Sequence, residues 1–141
     1  MSNVRCQMLS STTLSFLAEL QEKSHAAYPE GGLLYTYVEA ANQAHFRYSE
    51  NSGSSSVLSS GELSGLSRFL QASQGDYLSE SATAPFWGAA QRLVEHLRDD
   101  LAFNEVLLLL EDGGQDMGAK LKMARRADNR FFELELWWSI D

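Results

Sequence analysis

The chain has 141 residues and a formal charge of −8, from 19 acidic and 11 basic side chains. That length builds one hydrophobic core and not two, so a single domain over residues 1–141 is expected, and a composition 44% hydrophobic and 11% aromatic is too apolar for a disordered chain. The negative field repels phosphate backbones and anionic lipid surfaces, which argues against nucleic acid and membrane as partners and favours a basic protein, although acidity also serves plain solubility.

At the N-terminus, MSNVRCQMLSSTTLSF has one arginine and no long apolar run, which is not the pattern of a secretory signal. Cys6 stands alone, so neither an internal disulfide nor a cysteine zinc cluster is expected, and a reducing, cytoplasmic setting fits. Ser10 to Thr13 offer N-cap oxygens, and Leu14, Leu17, Ala18 and Gln21 recur at helical spacing, widened by Phe16 and Leu20. A helix is predicted to about Tyr28, stopped by Pro29 and turned at Gly31-Gly32. LLYTYVE (33–39) and AHFRYSE (44–50) are rich in aromatic and β-branched residues and read as a hairpin around Asn42. Val57 and Leu58 read as a short edge strand after the serine-rich NSGSSS.

Ser59 and Glu62 have capping-box spacing ahead of Leu63, Leu66 and Leu70, predicting a helix that ends between Gln71 and Gly75. A connecting loop is expected from Asp76 to Ala84. In TAPFWGAAQRLVEHLRDDLAF, Thr83 can cap, Pro85 suits the first turn, and Phe86, Ala90, Leu93, Val94, Leu97 and Leu101 trace one apolar stripe, opposite Arg92, Glu95, His96, Arg98 and Asp99. The run Val106 to Leu110 is too short to cross a bilayer and reads as a strand buried on both faces, bounded by Asn104 and Gly113-Gly114.

Residues 119–138 alternate twice. Folded as a hairpin around Ala127-Asp128, they place Met123 opposite Phe132 and Leu121 opposite Leu134, with Lys122 opposite Glu133 and Lys120 opposite Glu135 on the other face. Together these elements predict an α+β fold: an antiparallel sheet of five or six strands with helices packed on one face.

Chemistry-bearing motifs are sparse. His25, His45 and His96 lie in separate elements with no metal-binding spacing, SGSSS lacks the context of a nucleophile elbow, and EDGGQDMG lacks the calcium-loop pattern and reads as a solvated hairpin tip. No catalytic residue, metal or cofactor is expected. Phe131 and Trp137 share a strand face with Glu133 and Glu135. Open to solvent, that face has the composition of a protein-binding patch; covered, Trp137 would cap the core at the sheet's edge.

The N-terminal helix followed by LLYTYVEAANQAHFRYSE, the middle helical section and the closing RFFELELWW hairpin resemble small bacterial immunity proteins of the YezG-like family, which neutralise secreted nuclease or other antibacterial toxins. The resemblance spans most of the chain and rests on the order of elements and the aromatic strands. It implies a non-enzymatic inhibitor of a cognate toxin in the producing cell. An acidic face would meet the toxin's basic cleft, with Glu133, Glu135 and Trp137 on the last strand, Asp112 and Asp116 at the neighbouring turn, and Asp99 and Asp100 as a second patch. Two other readings stay open: a secretion chaperone, a class also small and acidic, and a small enzyme with an unrecognised carboxylate site.

Overall fold

The computed structural model describes residues 8–40, 57–75, 84–112, 116–128 and 130–139. The expected strand over 44–50, the loop over 76–83, and the side chains of Phe86, Asp112 and Asp116 lie outside that description.

Helix α1 (Ser11–Ala27) starts where the hydroxyl cluster predicts: Ser10 is the N-cap, and its Oγ accepts the Thr13 N–H at 3.2 Å. Its buried stripe is Thr13, Leu17, Leu20 and Ser24, whereas Leu14, expected on the apolar face, is 41% exposed. The helix is turned because its two buried hydroxyls are satisfied. Thr13 Oγ1 donates to Asp100 at 2.6 Å, and Ser24 Oγ accepts the Leu33 N–H at 2.9 Å. Past Pro29 the chain runs tight against the end of the last strand: a Cβ on Gly31 would lie 2.3 Å from Ser139 Oγ, and the Gly31 carbonyl accepts the Ser139 N–H at 2.7 Å. Only glycine permits that approach.

Strand β1 (Leu34–Ala40) follows. Helix α2 (Ser60–Ser73) carries the full capping box, with Ser59 Oγ accepting from the Glu62 N–H at 3.1 Å and Glu62 accepting from the Ser59 N–H at 2.9 Å. It stops at Gln74, ahead of Gly75 at φ 92°. Helix α3 (Ala84–Leu101) buries Ala89, Ala90, Leu93, Val94, Leu97 and Leu101. Arg125 closes it by donating to the Leu101 carbonyl at 2.6 Å, the favourable end of the helix dipole for a cation.

Strands β2 (Glu105–Asp112), β3 (Asp116–Arg125) and β4 (Arg130–Ser139) complete an antiparallel sheet in the order β1-β4-β3-β2. The fold is α+β, with three helices and four strands among the described residues rather than five or six. Val57 and Leu58 are not strand, because they lead directly into the α2 cap. Nor is β2 buried on both faces. It is an edge strand, with Leu107 and Leu109 half-buried and Leu110 50% exposed.

The predicted β3–β4 register holds at every pair: Met123 faces Phe132, Leu121 faces Leu134, Lys122 faces Glu133 and Lys120 faces Glu135. The inner side of the sheet presents Phe132, Leu134, Leu136, Trp138, Leu121 and Met123 to the helices, all at most 2% exposed. Trp138 stacks on Tyr28 at 5.1 Å, and the Tyr28 hydroxyl donates to the Ala72 carbonyl at 3.2 Å. The two adjacent tryptophans therefore divide between the layers, Trp138 in the core and Trp137 on the opposite side.

Candidate protein-binding face

The helices pack on one side of the sheet, and alternate residues of the four strands turn to the other. Strand pairing arranges that outer face in rows. The first row runs Leu34, Trp137, Gly118, Glu111; the second Thr36, Glu135, Lys120, Leu109; the third Val38, Glu133, Lys122, Leu107; the fourth Ala40, Phe131, Ala124, Glu105.

The rows differ in chemistry. The fourth is a small second core: Phe131 and Ala124 are 2% and 0% exposed, Leu107 packs against them, and the Arg126 guanidinium lies 5.4 Å from the Phe131 ring while pairing with Glu105. In the third row Lys122 is only 5% exposed, and its ammonium meets Glu133 at 3.0 Å. A lysine so nearly desolvated needs that carboxylate, which makes Glu133 first a counter-ion of its own sheet. Glu135 and Lys120 stand opposite each other in the second row, both half-buried. The first row combines an aromatic, a gap and an acid: Trp137 is half-buried and Glu111 exposed, with Leu34 on β1 45% exposed beside the indole. Val38, two rows away, is 51% exposed.

Of the residues predicted to meet a partner, Glu133, Glu135 and Trp137 thus lie in line on β4 and share one face. Asp112 ends β2 and Asp116 begins β3, with backbones opposite Met117 and Ser139, so they sit at the Trp137 end of the sheet. Asp99 and Asp100 are elsewhere, at the end of α3 in the helix layer. Asp100 has a structural task there, accepting the Ser10 N–H at 2.9 Å and the Thr13 hydroxyl at 2.6 Å at the positive end of α1. Of that pair Asp99 is exposed and Asp100 half-buried.

Sequence reasoning missed the β1 contribution, Leu34 and Val38, because no local pattern shows that β1 pairs with β4. It also passed over Gly118, although a glycine inside an alternating strand is itself a signal.

Other arrangements offer less. The helix layer has a groove of about 210 Å³ lined by Phe16, Glu19, Leu20, Lys23, Gln74, Ala89 and Arg92. Its one carboxylate, Glu19, pairs with Lys23 at 3.6 Å, and Arg92 lies over the Phe16 ring, so it holds ions already engaged and not a poised acid–base pair. His96 packs against Phe16 at 5.1 Å, His25 lies under Gly32, and His45 is outside the described residues. No group of three metal-ligating side chains occurs among the described residues, and no described helix is long and apolar enough to cross a membrane. Comparison of the chain with protein-family models, curated proteins and solved structures finds no match.

Proposed function

We propose that this protein is a non-enzymatic binding module that neutralises a basic, nuclease-like toxin by docking it on the outer face of the sheet, as in the immunity proteins its element order resembles. The observation that carries this reading is the outer face itself, where Trp137, Leu34 and Val38 stand among glutamates in a chain of charge −8. Aromatic and aliphatic groups supply burial on association, and the negative field raises the encounter rate with a basic partner. The interaction is centred on the β1–β4 side of the face, with Trp137 as anchor and Glu135 and Glu111 as the carboxylates presented to the partner. Glu133 supports the face through Lys122, and the toxin is held in the cytoplasm of the producing cell.

The test is capture from host lysate on the immobilised chain, eluted stepwise with salt, followed by assay of what elutes. The proposal expects one basic protein whose toxic or nuclease activity falls on adding back the wild-type chain and not the Trp137→Ala variant. A captured protein that keeps its activity when bound, as a chaperoned effector would, or equal inhibition by both variants, would overturn it.

A further inference from the structure

Gly118 is unexplained by the fold. It lies inside β3 between Trp137 on β4 and Glu111 on β2, where glycine weakens a strand and contributes nothing to pack. Its backbone does not require it, since the one positive-φ glycine among the described residues is Gly75. Nor does space: a Cβ on Gly118 would meet Glu111 Cβ and the Leu136 carbonyl oxygen at 3.7 Å, ordinary contact distances. Gly31 and Gly32 differ, because a Cβ there would come within 2.3 and 2.5 Å of its neighbours.

With no side chain at 118, the outer-face position between Trp137 and Glu111 is left unfilled by β3, a notch in the first row where Gly118 and Trp137 are half-buried and Glu111 exposed. One wall is Trp137 and the other Glu111; Glu135 lies two residues along β4 from the indole, roughly 7 Å at strand rise. Lys120, opposite Glu135, is the one described cation on this part of the face. A ligand that fills the gap and satisfies both walls must be flat enough to lie on an indole and positively charged. Guanidinium meets both conditions, stacking on an aromatic face while its edge donates to carboxylates, and ammonium meets only the second.

We infer that the notch at Gly118 receives an arginine side chain of the partner, stacked on Trp137 and paired with Glu111 and Glu135. This rests on the binding-face reading above and specifies its central contact. Glycine at 118 is there for the incoming side chain, so a larger residue at this position blocks binding without harming the fold.

The probe is a capped Gly-Arg-Gly peptide titrated into the full, isotopically labelled chain, with the citrulline counterpart as the neutral isostere. The expected result is a saturable shift of the Trp137 indole N–H and of the Gly118 and Glu111 amides, at least fivefold weaker for citrulline. Gly118→Val should abolish the response and Gly118→Ala reduce it, with melting temperatures unchanged or raised. A response that misses these signals, that citrulline reproduces, or that survives in Gly118→Val would overturn the inference. Should Gly118→Val be poorly folded, Gly118→Ala decides: full binding by a stable alanine variant also overturns it. The two proposals fail separately, since loss of toxin inhibition in Trp137→Ala together with full inhibition by Gly118→Val would retain the face and reject the notch.

Discussion

Glu62 carries two jobs with one carboxylate. One oxygen completes the α2 capping box at 2.9 Å from the Ser59 nitrogen, and the other accepts the Leu108 N–H of the edge strand β2 at 3.3 Å. An edge strand exposes unpaired donors that invite foreign strands, so a charged side chain bonded to one of them both ties helix to sheet and blunts the edge. Glu62→Ala is therefore expected to lower stability by about 1–2 kcal/mol in urea titration, and Glu62→Gln by less because the amide still accepts. Asp100 is comparable. Asp100→Ala removes an acceptor from Ser10 and Thr13 and should cost about 1–3 kcal/mol, with faster amide exchange in the first turn of α1 and no change in partner affinity. On the outer face Glu133→Lys sets a second ammonium beside the 5% exposed Lys122. Discounted for the partial exposure of Glu133, the expected loss is roughly 2–3 kcal/mol, so this variant reads stability before it reads binding.

At the scale of elements, the β3–β4 hairpin was legible because two alternating strands joined by a short turn admit a register that puts Leu121, Met123, Phe132 and Leu134 on one side and pairs lysine with glutamate on the other. The turn itself is fastened by Arg125 and Asp128 at 2.9 Å. The hydrogen bond from Arg125 holds the Asp128 carboxyl below its ordinary pKa. A depressed carboxyl stabilises the fold above the ordinary aspartate range and loses that contribution as pH falls through the lowered value. Asp128→Asn should thus be less stable than wild type at neutral pH, and the gap should close in strongly acidic solution. The α2 boundaries were legible from its capping box and Gly75, and the course of α3 from its apolar stripe. What was not legible came from distant contacts. The rotation of α1 depends on Asp100, 87 residues from Thr13, and β1 pairs with β4, a strand almost a hundred residues later. Edge position likewise decides whether a run of leucines is buried, and no local pattern encodes it.

For the whole molecule, the helix layer and the sheet divide the work. The helices bury Phe132, Leu134, Leu136 and Trp138 and give β4 its fixed position, and the reverse side of the same strand presents Trp137, Glu135 and Glu133. The candidate site was partly visible in the sequence, since alternation alone places Phe131, Glu133, Glu135 and Trp137 on one side. The engagement of Glu133 by Lys122, the separation of Asp99 and Asp100 from the face, and the neighbourhood of Gly118 required the sheet order. Association with a basic partner driven by the chain's net charge should slow as salt rises, whereas dissociation should depend on the apolar anchor. The most direct measurement is the binding kinetics of the captured partner with wild type, Trp137→Ala and Glu135→Lys at low and high salt. The account predicts at least tenfold faster dissociation for Trp137→Ala and slower, less salt-sensitive association for Glu135→Lys, with melting temperatures close to wild type; unchanged kinetics in both folded variants would contradict it.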